Sequence, residues 1–361
     1  MDLYPPSWCG ETALTKLHTF YQSRPLNVHV FSIDRIAQTF NRIQKMSYSQ
    51  FLFSIIIFCF FQISFSTRRF LHEKSSSTEQ ELSVAICSVV GRNSLSDVTE
   101  WVDYHSFLGV SKIYVIYHGV YNVKLLRTLK RYIFNGTVEV HYISHAWSDD
   151  IEVFGISKCG PSMQCWGLTY CLRQFRHRHH FMAMIDVDEF ILIRNSNVKL
   201  PAFLSPYLKK GGLTLHWRVF GSSGHISRPH GGVLRNYVRC NENETFMTQI
   251  SSSNPVGHTK GIVNTRFTNS QTYCNPHRCF QSGDDLEYYN EFFQRDLNVT
   301  FKHISLNHYR IKSKFDFESK SRFSNSIGGH HVNFNYFHKI DQISSHDCSE
   351  ARKYAIDFFG T

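Results

Sequence analysis

The sequence predicts an α/β domain built on a doubly wound sheet, and two observations predict it. Strand-like and helix-like stretches alternate from Leu82 to Phe190, as successive βαβ units do. The last strand of that series, Phe181-Met182-Ala183-Met184-Ile185, is an apolar run too short for a buried helix, and it ends in Asp186, Asp188 and Glu189. Open α/β sheets bind ligands at the carboxyl ends of their strands. Three acids gathered there repel one another unless a cation sits among them.

Each element has a local reason. Residues 67–81, with Ser75-Ser76-Ser77-Thr78, read as a polar stem. The first strand begins at Leu82, runs to Val90 and stops at the turn Gly91-Arg92-Asn93. Asp97 to Leu108 sets Val98, Trp101, Val102, Phe107 and Leu108 along a helical face, with Gly109 in the C-terminal position. Lys112 to Tyr117 is a second strand, Val123 to Phe134 a helix closed by Asn135-Gly136, and Thr137 to Ile143 a third strand. After a loop, residues 163–178 form the helix that feeds the acidic strand. Its Arg173, Arg176, His177, Arg178, His179 and His180 read as solvated cations offsetting the helix dipole rather than as a metal or nucleic-acid site.

Past the acids, Phe190-Ile191-Leu192-Ile193 is apolar, Pro201 to Lys209 a short helix stopped by Gly211-Gly212, and Leu213 to Phe220 a strand. Gly221-Ser222-Ser223-Gly224-His225 and Arg228 to Leu234 are glycine-rich loops, equally suited to hugging a sugar or phosphate and to simple turns. Thr259 to Asn264 is a strand carrying Lys260, Ile304 to Ile311 a strand holding His308, Ser319 to Ser326 polar, and Cys348 to Phe359 a closing helix. A strand histidine is on base rates a core group, so His308 alone signals nothing.

Composition bounds the compartment. The chain has 361 residues, 15% aromatic, with a net charge of +10 that is spread along it rather than blocked. Such a charge suits a protein handling nucleotide diphosphates near an anionic membrane as well as it suits nucleic acid. Phe51 to Phe65 carries no charge, and Tyr48 to Ser66 extends it to a length that fits a thin secretory membrane, as a signal-anchor or a cleaved signal peptide. The expected organisation is a cytosolic tail or upstream extension at 1–45, the anchor at 46–66, the stem at 67–81 and a single catalytic domain at 82–361. Of the 10 cysteines, Cys87, Cys159, Cys165, Cys171, Cys240, Cys274, Cys279 and Cys348 lie beyond the anchor, an even set suited to four disulfides in an oxidising lumen. The even spacing of Cys159, Cys165 and Cys171 lacks the tight pairing of a structural zinc site. Asn135-Gly136-Thr137, Asn243-Glu244-Thr245 and Asn298-Val299-Thr300 are glycosylation acceptors on the same side of the apolar segment. These secretory features set the domain apart from nucleic acid.

Hard divalent cations take oxygen ligands, often one or two carboxylates plus a substrate's phosphates. Asp186-Val187-Asp188 at a strand mouth therefore suggests a metal bridging protein to diphosphate. A haloacid-dehalogenase-type phosphatase also uses Asp-x-Asp, but on its first strand and with Thr or Val two residues on, where this chain has Phe190.

Several stretches together resemble glycosyltransferase family 92, a group of luminal type II membrane galactosyltransferases that includes the plant galactan synthases. They are Glu100-Trp101-Val102-Asp103-Tyr104-His105 with Leu108-Gly109-Val110; Gln164 and Cys171; Ile185 to Phe190; Trp217 with Phe220 to His225; Lys260-Gly261-Ile262-Val263; Pro276-His277; and Asn307 to Ser313. The resemblance implies a GT-A fold, a UDP-sugar donor with galactose foremost, a glycan acceptor, Mn²⁺ or another divalent cation, inversion at the anomeric carbon, and residence as a single-pass protein of the Golgi membrane with its domain luminal. It implies Asp186, Asp188 and His308 for the metal, and Arg92, Asp186, Asp188, Lys260 and His277 for the donor. Inversion needs a carboxylate base, for which Asp316 is the first candidate, followed by Asp285 and its neighbour Asp284. Where many members carry Asp-Asn after the second strand, this chain has Tyr117-His118-Gly119-Val120. That departure motivates the alternative of an inactive luminal carbohydrate-binding relative.

Overall fold

Four parallel strands start the domain, as the alternation requires. In the computed structural model, which describes residues 82–91, 95–119, 121–143, 159, 162–243, 259–280, 301–323 and 334–359, these are β1 (Val84–Val90), β2 (Lys112–His118), β3 (Val138–Ile143) and β4 (Phe181–Met184). They lie in the order β3-β2-β1-β4, each pair parallel. Helices sit on both faces, so the doubly wound expectation holds for this half. Helix α1 (Val98–Phe107) covers one face through Val98, Trp101 and Val102. On the other, α4 (Met163–Phe175) packs Leu168, Leu172 and Phe175 on Ala85, Ile116 and Met182. Between β2 and β3 the expected single helix is two, α2 (Val123–Thr128) and α3 (Lys130–Phe134), parted at Leu129.

The second half departs from a parallel sheet. Helix α5 (Leu200–Leu204) precedes β6 (Gly212–Val219), and β8 (Thr259–Asn264) inserts antiparallel between β4 and β6. β11 (Ile304–His308) runs parallel to β6, and β5 (Glu189–Ile193) closes the far edge antiparallel to β11. The full order is thus β3-β2-β1-β4-β8-β6-β11-β5, and two small antiparallel pairs, β7 (Arg239–Cys240) with β12 (His346–Asp347) and β9 (Tyr273–Cys274) with β10 (Cys279–Phe280), form separate sheets. Three strands separate β4 from β5 in the sheet, yet only residues 185–188 join them in the chain. Laid flat, four strand spacings would be about 19 Å. Five extended residues reach about 17 Å at most, and the Glu189 N–H bond to the Asp186 carbonyl (3.0 Å) folds this connection into a turn. The sheet must therefore curl, which brings the upper ends of β4, β8, β6, β11 and β5 around the acidic turn.

β5 is an edge strand, and α1 satisfies its open side. Trp101 Nε1 donates to the Glu189 carbonyl (2.7 Å), Tyr104 OH donates to the Ile191 carbonyl (2.6 Å), and His105 Nε2 accepts from the Ile191 N–H (3.3 Å). Burial holds the His105 imidazole down to about 3, so it stays neutral and can accept.

All eight cysteines beyond residue 80 pair, as Cys87–Cys171, Cys159–Cys165, Cys240–Cys348 and Cys274–Cys279, so none offers a thiolate to zinc. Of the polar stretch Ser319 to Ser326, residues 319–323 form the end of helix α7 (Lys314–Phe323) and 324–326 lie outside the described residues. In chain order the remaining helices are α6 (Val233–Asn236) before it, and α8 (Phe334–Ile343) and α9 (Glu350–Phe359) after it. The apolar segment 46–66 and the stem lie outside the described residues. Among the described residues, no helix is long and apolar enough to cross a membrane.

Candidate active site

The acids of the turn are balanced by the chain's own ammonium groups. Lys260, from β8 and only 1% exposed, puts Nζ 2.6 Å from Asp186 Oδ2 and 3.6 Å from Glu189 Oε2. The close Lys260–Asp186 contact is the ionic one: despite its burial, Lys260 is held above the ordinary lysine range by Asp186 and Glu189. Glu189, fully buried, is pushed well above the carboxylate range by desolvation. Its Oε2 accepts from the Asp186 N–H (2.8 Å), which fixes the turn, while Oε1 is buried with no hydrogen-bond partner among the described residues.

Asp186 is committed on both oxygens, because Gln164 Nε2 donates to Oδ1 at 2.7 Å. Gln164 reaches it because Gly167, one turn further along α4, lets the helix lie close to the sheet. A Cβ there would stand 2.6 Å from Val89 Cγ2 and 3.1 Å from Ile116 Cγ2. Gly167→Val is therefore expected to destabilise the domain by about 1–3 kcal/mol and to pull Gln164 from Asp186. Thermal unfolding checks it, and an unchanged midpoint would refute this reading of the helix–sheet approach.

Asp188 has a different setting. Its Oδ2 accepts from Lys320 Nζ (2.6 Å) on α7, and its Oδ1 faces His308 Nε2 at 3.7 Å, beyond hydrogen-bond reach. Burial works against its charge, but Lys320 above all holds the carboxyl well below the usual range. His308 ends β11, 5% exposed, with its ring 4.3 Å from that of Trp217. Burial keeps its imidazole well below the ordinary histidine range, hence neutral. The Tyr309 N–H donates to the Asp188 carbonyl (2.9 Å), so the β11 end and the acidic turn are tied through their backbones.

The other expected site residues divide. His277 sits in a turn closed by Cys274–Cys279; its Nδ1 lies 3.2 Å from the Thr259 carbonyl and its ring 5.7 Å from Trp217. Asp316, in the first turn of α7, accepts from Arg228 at Oδ1 (3.2 Å) and from Ser313 (2.8 Å) and Tyr237 (3.3 Å) at Oδ2. It thus borders the site, one helical turn before Lys320, with both carboxylate oxygens hydrogen-bonded. Arg92, Asp284 and Asp285 lie outside the described residues. At the end of β2, Tyr117 is buried and its hydroxyl accepts from Asn122 (2.7 Å).

Two groups of the site had little sequence signal. Gln164 stood in the resemblance without a role, and Lys320 stood in a stretch that reads as polar surface. Arg228 and Lys312 both pair with buried Asp97, joining the start of α1 to the loop before α6 and to the segment that opens α7.

A curled α/β sheet with carboxylates, a neutral imidazole and ammonium groups drawn together at its strand ends is the layout of an enzyme domain with a strand-end ligand site. Comparison with known families makes the class specific. The chain belongs to glycosyltransferase family 92, whose model matches residues 80–345. Membership makes it a glycosyltransferase by family and implies a nucleotide-sugar donor and a glycan acceptor. No curated protein sequence matches this one. Among solved structures, a mycobacterial protein is 13% identical, covering 65% of this chain and 70% of its own, with a TM-score of 0.32. The apo WbbM bifunctional glycosyltransferase is 12% identical over 75% of this chain and 53% of that one, with a TM-score of 0.32. HddC from Yersinia pseudotuberculosis is 12% identical over 66% and 97%, with a TM-score of 0.24. At such TM-scores these likenesses carry no argument.

Proposed function

We propose that this chain is a GT-A-type transferase that moves a hexose, galactose first among them, from a UDP-sugar to a glycan hydroxyl with inversion and with the help of a divalent cation. The observation that carries the reading is the facing pair Asp188 Oδ1 and His308 Nε2, 3.7 Å apart at the strand ends with no hydrogen bond between them. The donor set fits a cation such as Mn²⁺, which accepts both carboxylate and imidazole. Asp188 and His308 would hold it directly. Asp186, engaged by Gln164 and Lys260, supports the turn beside them. When bound, such an ion neutralises the charge that grows on the leaving diphosphate.

The chain's own groups do the rest. Lys260 keeps positive charge at the mouth whether or not ligand is present, and its burial makes that field strong and fixed. His277, in its disulfide-closed turn beside Trp217, would line the donor side. The acceptor's proton would go to a carboxylate: Asp316, whose oxygens already accept from Arg228, Ser313 and Tyr237, is one candidate and Asp285 the other. The four disulfides support a luminal domain, and with the apolar segment they favour a single-pass Golgi membrane protein.

The test is UDP release from a panel of UDP-sugars, with Mn²⁺ and with chelator. Metal-dependent turnover of UDP-galactose is expected. If the folded protein neither binds nor turns over any UDP-sugar in a metal-dependent way, the transferase reading falls and the binding relative suggested by Tyr117-His118-Gly119-Val120 takes its place.

A further inference from the structure

The two lysines that meet the acidic turn are built differently. Lys260 comes from the middle of the sheet, is 1% exposed and touches two acids. Lys320 comes from a surface helix, its side chain is 48% exposed, and its ammonium touches Asp188 alone among the described acids, at 2.6 Å. Ion pairs as exposed as this contribute little to stability, so structure alone is a weak reason for the contact. Asp188 nevertheless needs a cation. Its side chain is only 16% exposed, and a carboxylate so desolvated is costly without a partner. Lys320 supplies that partner on Oδ2, while Oδ1 is left facing the neutral His308.

We propose that Lys320 is a displaceable counter-ion: it holds Asp188 in the metal-free protein, yields the carboxylate to a divalent cation, and then pairs with the phosphate oxygens of the nucleotide donor. The inference rests on the reading of Asp188 and His308 as the cation-holding pair. Three features support the exchange. Lysine is a point charge on a flexible four-carbon stem, able to swing without moving its helix. The base of α7 is anchored through Asp316 to Arg228, Ser313 and Tyr237, so the released ammonium stays within side-chain reach of the site. Charge also balances: Asp188 already cancels one of a divalent cation's two charges, so the doubly negative diphosphate of a sugar nucleotide leaves one negative charge unmatched, and Lys260 is already committed to Asp186.

The exchange predicts changes of opposite sign, which a merely structural lysine would not produce. In the full chain carrying Lys320→Met, calorimetry with Mn²⁺ alone should show affinity rising by up to about 5-fold, the competitor being gone. Affinity for UDP at saturating Mn²⁺ should fall by about 10-fold or more. Lys320→Arg should restore part of the UDP affinity. In the unmodified protein, labelling of Lys320 by an amine-reactive reagent, read by mass spectrometry, should rise with Mn²⁺ and fall again when UDP is added. If Mn²⁺ and UDP bind to Lys320→Met as they do to the parent, or if both weaken together, the counter-ion role is overturned while the cation-site reading stands. If the parent protein binds neither Mn²⁺ nor UDP, that reading fails first and takes this one with it.

Discussion

Asp188→Asn is expected to remove divalent-cation binding and to lower kcat/KM by about 10³-fold or more, the several kcal/mol of charge stabilisation that a bound ion supplies, while barely changing stability. The substitution keeps the shape of the turn and the backbone bond from Tyr309. It removes the charge that Lys320 and His308 face. Lys320 is half-exposed and loses little by returning to water, so the unfolding midpoint should move by no more than the equivalent of about 1 kcal/mol. Asp186→Asn provides the contrast. It strips the nearest partner from Lys260, an ammonium buried in the sheet, and removing one member of a buried pair costs about 3–5 kcal/mol. One carboxylate of the motif is thus expected to report mainly on ligand and the other mainly on fold. Mn²⁺ calorimetry, UDP release and thermal unfolding on the two variants separate them. An Asp188→Asn protein that binds Mn²⁺ like the parent would remove Asp188 from the cation site.

The sequence carries the strands well because each is a short run rich in β-branched, aromatic or apolar residues that ends near turn-forming residues. β1, β2, β3, β6 and β8 all fall within a residue or two of their expected limits. What it does not carry is the order of the strands. Nothing local in Thr259–Asn264 says that it inserts antiparallel beside β4, because that is decided by which sheet edges meet. Nor does Glu100-Trp101-Val102-Asp103-Tyr104-His105 announce its purpose. Its aromatic groups close the edge of β5, and Glu100 accepts from the Val233 and Leu234 N–H groups, so this part of the family resemblance concerns architecture. The site shows the same division. Asp186 and Asp188 are visible because acids at the end of a buried strand are conspicuous, and His308 and Lys260 because the resemblance placed them. Lys320 is hidden because α7, Lys-Phe-Asp-Phe-Glu-Ser-Lys-Ser-Arg-Phe, buries little and reads as surface.

Asp97→Ala is the substitution away from the acidic turn expected to cost most in stability, about 3 kcal/mol at neutral pH, toward the lower end of what breaking a buried ion pair costs. Asp97 is 3% exposed and receives both Arg228 and Lys312. The two cations fare differently without it. Arg228 keeps Asp316 at 3.2 Å. Lys312, whose side chain is 13% exposed and whose backbone sits at φ 50° in the left-handed region, loses the acid that justifies its placement. Opposed by burial but pulled down by Lys312 and Arg228, the Asp97 carboxyl lies below its ordinary value of 3.8. A depressed folded-state pKa means a contribution that is fully present above the unfolded value and is lost as pH falls through the folded one. The parent should therefore lose stability on acidification below about pH 4, and Asp97→Ala should show a shallower loss over that interval. Denaturant unfolding at neutral pH and at stepped acidic pH reads both effects. Parallel curves for parent and variant would show that the paired carboxylate is not what ties α1 to the segment that opens α7. Because Lys312 lies just before that helix, the same variant should also loosen Lys320 from Asp188 and weaken UDP binding without altering any group that touches the donor.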